Sequence, residues 1–167
     1  MNRKKWMISG LLFFCLLAWL GSQTSTNPAT NTLDSEQILL KIEAAVSPTR
    51  LTRGQEGKVI LTLTPQEGIL INSQPSFTVE FSPSEELVFP KNFFTATDLE
   101  IPILEEEGMT YLNLEEPVEI PFTVGPEVVR GNNILEGKVK FFAFSRKDGA
   151  IVKTSTRFEA AFYTRGL

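Results

Sequence analysis

From Gln37 towards the C-terminal end of the sequence, apolar side chains recur at every second position in short runs, and Gly, Pro, Asn or acidic residues punctuate each run. Only an extended strand puts alternate residues on one side, so this period points to half-buried β-strands and away from amphipathic helices. Ile42, Ala44 and Val46 form the first set and end at Pro48. Val59, Leu61 and Leu63 follow the turn that runs from Arg53 to Gly57, and Phe77, Val79 and Phe81 end at Pro83. Val118, Ile120, Phe122 and Val124 form a fourth set, in which Pro121 suggests a sheet edge because proline has no N–H for a ladder. Val139, Phe141 and Ala143 follow Gly137, and Phe158, Ala160 and Phe162 close the series. These sets are the expected core.

The last two runs, about Leu135–Ser145 and Ile151–Tyr163, flank Arg146-Lys147-Asp148-Gly149. An Asp-Gly pair between alternating runs marks a hairpin, which predicts two antiparallel neighbours. Shorter runs at Glu86–Phe89 and Leu99–Leu104 bring the count to about seven or eight strands, the number of an all-β, immunoglobulin-like antiparallel β-sandwich. Thirteen Phe against three Met, with many Val, Ile and Thr, agree with that class. No segment has sustained helical periodicity, and Ser84–Thr97 has room for one helical turn at most.

Ahead of the strands, Arg3, Lys4 and Lys5 precede an almost unbroken apolar run from Trp6 to Leu20, then Gly21 and Ser22. This is the order of a secretory signal peptide, expected over residues 1–22. The run is short for a bilayer span, which takes about 20 residues. A cut after Ser22 places Leu20 at the third position before it, where a smaller residue is preferred, so an inner-membrane anchor formed by residues 6–20 is the other reading. Cys15 lies inside the apolar run behind Phe13 and Phe14, where a hydrophobic role suits it better than lipid attachment. Residues 23–36 are polar and small and read as a flexible linker, leaving residues 37–165 for one sandwich domain. The expected location is the bacterial periplasm or the exterior.

Removing residues 1–22 would delete three of the sixteen Lys and Arg and none of the twenty Asp and Glu, moving the net charge from −4 to −7. A domain that acidic is a poor ligand for nucleic acid or anionic lipid. With no His in the chain, the usual general base and the commonest metal ligand are both missing. A hydroxyl therefore lacks an adjacent imidazole, and a Ser145–Lys147 dyad would need side chains two apart on a turn to converge. Glu105-Glu106-Glu107-Gly108, with Glu85-Glu86 and Glu115-Glu116, offers carboxylates for calcium. Calcium takes six to eight converging oxygens, commonly from Asp-rich loops, and the chain has three Asp, so solvated turns are the simpler reading. No catalytic residue, metal or cofactor is assigned.

Two elements carry a family resemblance. Gly68, Ile71, Asn72, Ser73 and Pro75 follow the first hairpin, and Gly137–Ser145 with Phe158–Ala160 form the last one. On these residues the chain, over residues 38–163, resembles the N-terminal domain of the bacterial thiol:disulfide interchange protein DsbD. The resemblance implies an immunoglobulin-like scaffold in the periplasm. The family's two redox cysteines bracket the last hairpin and would fall near Phe144 and near Ala150 or Ile151, none of which is cysteine. Exchange requires a thiolate, so the scaffold is expected without the activity.

Phe142 and Phe144 share a strand face with Lys138 and Lys140, opposite Phe141. That second face of a sandwich is normally wet. Two aromatics there are either covered by a loop or a neighbouring strand, or form a contact for a protein partner. The expected function is that of an exported, non-enzymatic interaction domain whose partner is another exported or membrane protein. The alternative is an ancillary docking component of a periplasmic thiol:disulfide or cytochrome-maturation pathway.

Overall fold

A strand with one apolar face is stable only against a second apolar face, and the chain meets that need by packing two antiparallel sheets. The computed structural model describes residues 38–74, 76–106 and 108–165. The expected signal peptide, linker and Cys15 lie outside the described residues, as do Pro75 and Glu107. The strands are β1 (Leu40–Ser47), β2 (Arg50–Leu51), β3 (Glu56–Pro65), β4 (Ile69–Ile71), β5 (Thr78–Phe81), β6 (Leu87–Val88), β7 (Phe93–Thr95), β8 (Ile103–Glu106), β9 (Met109–Leu112), β10 (Val118–Val124), β11 (Gly131–Ser145) and β12 (Ile151–Thr164). Eight of these run to four residues or more, in line with the number expected for an immunoglobulin-like β-sandwich.

One sheet has the order β1-β3-β10-β6 and the other β2-β12-β11-β5-β7, with β4 pairing β11 beyond the end of β5. Between β1 and β2 the chain crosses from the first sheet to the second, where β2 runs parallel to the end of β12. The hairpin β8–β9 stands apart but is tied to the segment after β4 by a bridge between Asn72 and Tyr111.

The alternation sets fall on the inner faces. Val59, Leu61, Leu63, Phe77, Val79, Val118, Ile120, Phe122, Val124, Val139, Phe141, Ala143, Phe158, Ala160 and Phe162 are all buried, while Ile42, Ala44 and Phe81 are partly buried against them. Phe81 stacks on Phe89 with ring centroids 4.0 Å apart and meets Phe158 edge-on at 5.8 Å, the two geometries aromatic pairs prefer. Gly137 makes room for this cluster, since a Cβ there would stand 2.4 Å from Cζ of Phe158 and 2.8 Å from the Glu80 carbonyl oxygen.

Pro121 lies where β10 has β3 on one side and no strand on the other, because β6 meets β10 only at Thr123 and Val124. The last hairpin forms as the Asp-Gly signal requires: Gly149 has φ 71° and its N–H donates to the Ser145 carbonyl, with Phe144 and Ile151 the first pair of the ladder.

The run Leu99–Leu104 departs from expectation. Residues 96–100 form a turn and only Ile103 onward is strand. Asp98 causes this, since its carboxylate accepts from the Thr95 N–H and hydroxyl, both at 2.9 Å, while the Leu99 N–H bonds the Thr95 carbonyl at 3.1 Å. Glu100 then turns back at φ 53°, which buries Ile101.

Candidate binding face

β11 and β12 are the longest strands described, 15 and 14 residues, so their outward residues set the chemistry of one face of the six-stranded sheet. In β11 these are the even-numbered residues from Asn132 to Phe144, and in β12 their cross-strand partners, the odd-numbered residues from Ile151 to Tyr163. The centre of the face is charged. Glu80 on β5 lies 2.6 Å from Lys140 and 3.2 Å from Lys138. The hydrogen bond from Lys140, aided by Lys138, holds the Glu80 carboxyl below its usual range against the opposing effect of burial.

Phe142 and Phe144 occupy one end of this face and are half-buried. Phe144 stands between Leu70 of β4 and Ile151 of β12. Phe142 lies in the next row, where the register runs from Lys153 through Phe142 and Asn72 to Tyr111 and Leu104. The Lys153 ammonium sits 5.8 Å from the Phe142 ring centroid, a cation–π arrangement. Ile151 and Leu104 are 60% and 40% exposed, so the two phenylalanines are the sheltered middle of an apolar patch with open margins.

The hairpin β8–β9 borders the patch and is pinned by polar contacts. Glu106 pairs with Arg146 on the β11–β12 turn and accepts from the Tyr111 hydroxyl at 3.3 Å, and the Ser73 and Thr110 hydroxyls bond at 2.8 Å. The sequence alone did not identify Leu70, Leu104 and Tyr111 as part of this face. Their membership depends on pairing between segments far apart in the chain.

The remaining candidates disperse. Glu85, Glu105, Glu115 and Glu116 are exposed, Glu86 is half-buried, and Glu106 is engaged by Arg146. Among the described residues no three of His, Cys, Asp and Glu come together as a metal site would need. Ser145 turns to Asp148 rather than to Lys147: its hydroxyl, followed by the Ala150 N–H at 3.2 Å, keeps the Asp148 carboxyl below its ordinary value. A shallow groove beside the charged centre, lined by Glu80, Asn92, Phe93, Lys138, Arg157 and Glu159 among others, mixes both signs of charge. No helix among the described residues is long and apolar enough to cross a membrane.

The fold and face together define an immunoglobulin-like sandwich with a mixed aromatic and charged sheet surface. No family model matches the chain, and no curated protein does. Among solved structures it is similar to the major pilin subunit of Bacillus cereus, at 11% identity and TM-score 0.40 over 75% of this chain and 40% of that one. It is also similar to a cohesin module of a Clostridium perfringens family 33 glycoside hydrolase, at 12% identity and TM-score 0.36 over 75% of this chain and 96% of that one. A third likeness is to murine CRIg, at 10% identity and TM-score 0.33 over 76% of this chain and 98% of that one. The chain spans less than half the length of the pilin subunit.

Proposed function

We propose that this is an exported interaction domain that binds another exported or membrane protein through the Phe142–Phe144 end of its six-stranded sheet and performs no chemistry of its own. The observation that carries the reading is the half-buried aromatic pair with the open apolar margins Ile151 and Leu104, on a sheet face whose centre is charged. Apolar side chains ringed by charge are the usual make-up of a protein contact. The absence of His and of any Cys beyond position 15 supports a role without catalysis.

A second reading is favoured by one observation. Phe144 stands directly opposite Ile151, and the DsbD resemblance carries the family's cysteines near Phe144 and near Ala150 or Ile151. On that reading the domain is a relative of the DsbD N-terminal domain that docks to a cysteine-bearing partner in a thiol:disulfide or cytochrome-maturation pathway. A photo-crosslinking benzoylphenylalanine placed at Phe144 in the exported full chain tests both. A discrete adduct with a second exported protein is expected, and none from the same probe at Ala45 on the opposite sheet. Equal labelling from both positions would overturn the face assignment. An adduct partner without redox cysteines would leave the first reading and remove the second.

A further inference from the structure

We propose that the partner of the Phe142–Phe144 face presents an extended acidic segment, an apolar anchor followed by carboxylates at every second residue, which lies along β11 over a strip of cations. The inference rests on the proposed function of that face and adds the chemistry of the partner. From Phe144 the outward side chains of β11 run in rows through Phe142, Lys140 and Lys138. Across the strand pair Lys153 stands opposite Phe142, Ser155 opposite Lys140 and Arg157 opposite Lys138, while β5 adds Thr78 and Glu80 on the other side. The remaining members of these rows carry no charge. The rows therefore set Lys138, Lys140, Lys153 and Arg157 against Glu80 alone, an excess of three positive charges.

The chain as a whole stands at −4, and the outward residues of β1, β3 and β10 set Lys41 and Lys58 against Glu43, Glu56 and Glu119. The strip is thus a local reversal of sign in an acidic molecule. Internal pairing uses only part of it. Glu80 serves Lys140 and Lys138, but among the described residues Lys153 and Arg157 have no ion-pair partner. Both are exposed, and Arg157 directly opposes Lys138, an arrangement that costs a strand pair stability. A ligand bearing carboxylates relieves that repulsion, and one bearing cations adds to it.

The register sets the spacing. Successive rows are two residues apart along β11, about 6.6 Å at the rise of a strand, and an extended peptide repeats its side chains at the same interval. An apolar side chain over Phe144 and Ile151 then brings the following alternate positions over Lys153, Lys140 and the Lys138–Arg157 pair. The next row holds Glu136 opposite Glu159 and ends the strip. A flat anionic bilayer would meet those two carboxylates on the same face, whereas an extended segment stops short of them.

The test uses the exported full chain and a fluorescent synthetic peptide with two phenylalanines followed by three glutamates at alternate positions, threonines between them, made in both sequence orders. In anisotropy titrations it is expected to bind about tenfold more tightly than its glutamine counterpart, with the difference shrinking at high salt. Lys153→Glu and Arg157→Glu should each weaken binding about tenfold without lowering the melting temperature, and Lys153→Arg should leave it unchanged. Glu80→Gln should strengthen it severalfold even though two ion pairs are lost, a sign that a purely structural role for the strip would not give. Equal affinity for the two peptides, or indifference to the charge reversals, while benzoylphenylalanine at Phe144 still yields its adduct, would overturn the acidic partner and leave the binding face standing. No adduct from Phe144 would remove the face and this proposal with it. Binding to phosphatidylglycerol vesicles that both charge reversals abolish, with no binding of the acidic peptide, would assign the strip to a lipid surface instead and overturn the proposal.

Discussion

Asp98 shows how one side chain redirects a segment. The ammonium of Lys91, and then the Thr95 N–H and hydroxyl, bring its carboxyl down to about 2 from an ordinary 3.8. A carboxyl depressed on folding adds stability that is present above the unfolded value and is lost as pH falls towards the folded one. Asp98→Asn is therefore expected to lower stability at pH 7, and its deficit against the parent should close between about pH 4 and pH 2 in urea unfolding curves. A deficit independent of pH would show that the carboxylate contributes by shape alone. Gly137 is the second such residue. A methyl group there meets the Phe158 ring and the Glu80 carbonyl, so Gly137→Ala should cost about 1–3 kcal/mol, read from the same curves. The close approach needing glycine follows from the cross-strand pairing of Gly137 with Phe158 and cannot be read from either residue alone.

At the scale of elements, the strands legible in the sequence are those whose side chains obey the two-residue period, such as β3, with Val59, Leu61 and Leu63 buried between exposed neighbours. The hairpin β8–β9 was not legible because both Ile103 and Leu104 are exposed, so no buried alternation announces it. Pairing partners hold it in place, among them Arg146 and Ser73. β2 has two residues and exists only through its pairing with the end of β12. The Leu99–Leu104 run misled because apolar spacing records burial, and a turn that tucks in Ile101 buries it as well as a strand does. Phe142 and Phe144 were legible as outward residues, but the patch around them was not, since Leu70 and Tyr111 reach it through β4 and β9. The register makes a specific claim about the final hairpin. The Asn72 N–H bonds the Phe142 carbonyl, so even residues of β11 turn their backbone groups towards β4 and Phe144–Ile151 is a pair without hydrogen bonds between its members. Such pairs bring Cα atoms to about 4.5 Å, at the near end of disulfide reach. Phe144→Cys with Ile151→Cys should therefore close an intramolecular disulfide on oxidation, detected by mass after thiol blocking, while Phe144→Cys with Val152→Cys should remain reduced.

For the molecule as a whole, the proposed function assigns stability to one face of β11 and recognition to the other. Phe141 is 1% exposed and packs between the sheets, whereas Phe142 and Phe144 project from the same strand to the other side. With no cysteine after position 15, no disulfide supports residues 38–165, and the core must supply the stability by itself. Phe141→Ala should then cost about 3–5 kcal/mol, because it leaves a cavity in a packed interior. Phe144→Ser removes only half-buried surface and should cost less than about 1.5 kcal/mol, yet abolish adduct formation with the partner protein from a probe placed at Leu104. Urea unfolding and crosslinking on the same two variants separate the roles. If Phe144→Ser were as destabilising as Phe141→Ala and left crosslinking intact, the outer aromatics would belong to a second, smaller core beneath the β8–β9 hairpin, and the binding face would have to be sought elsewhere.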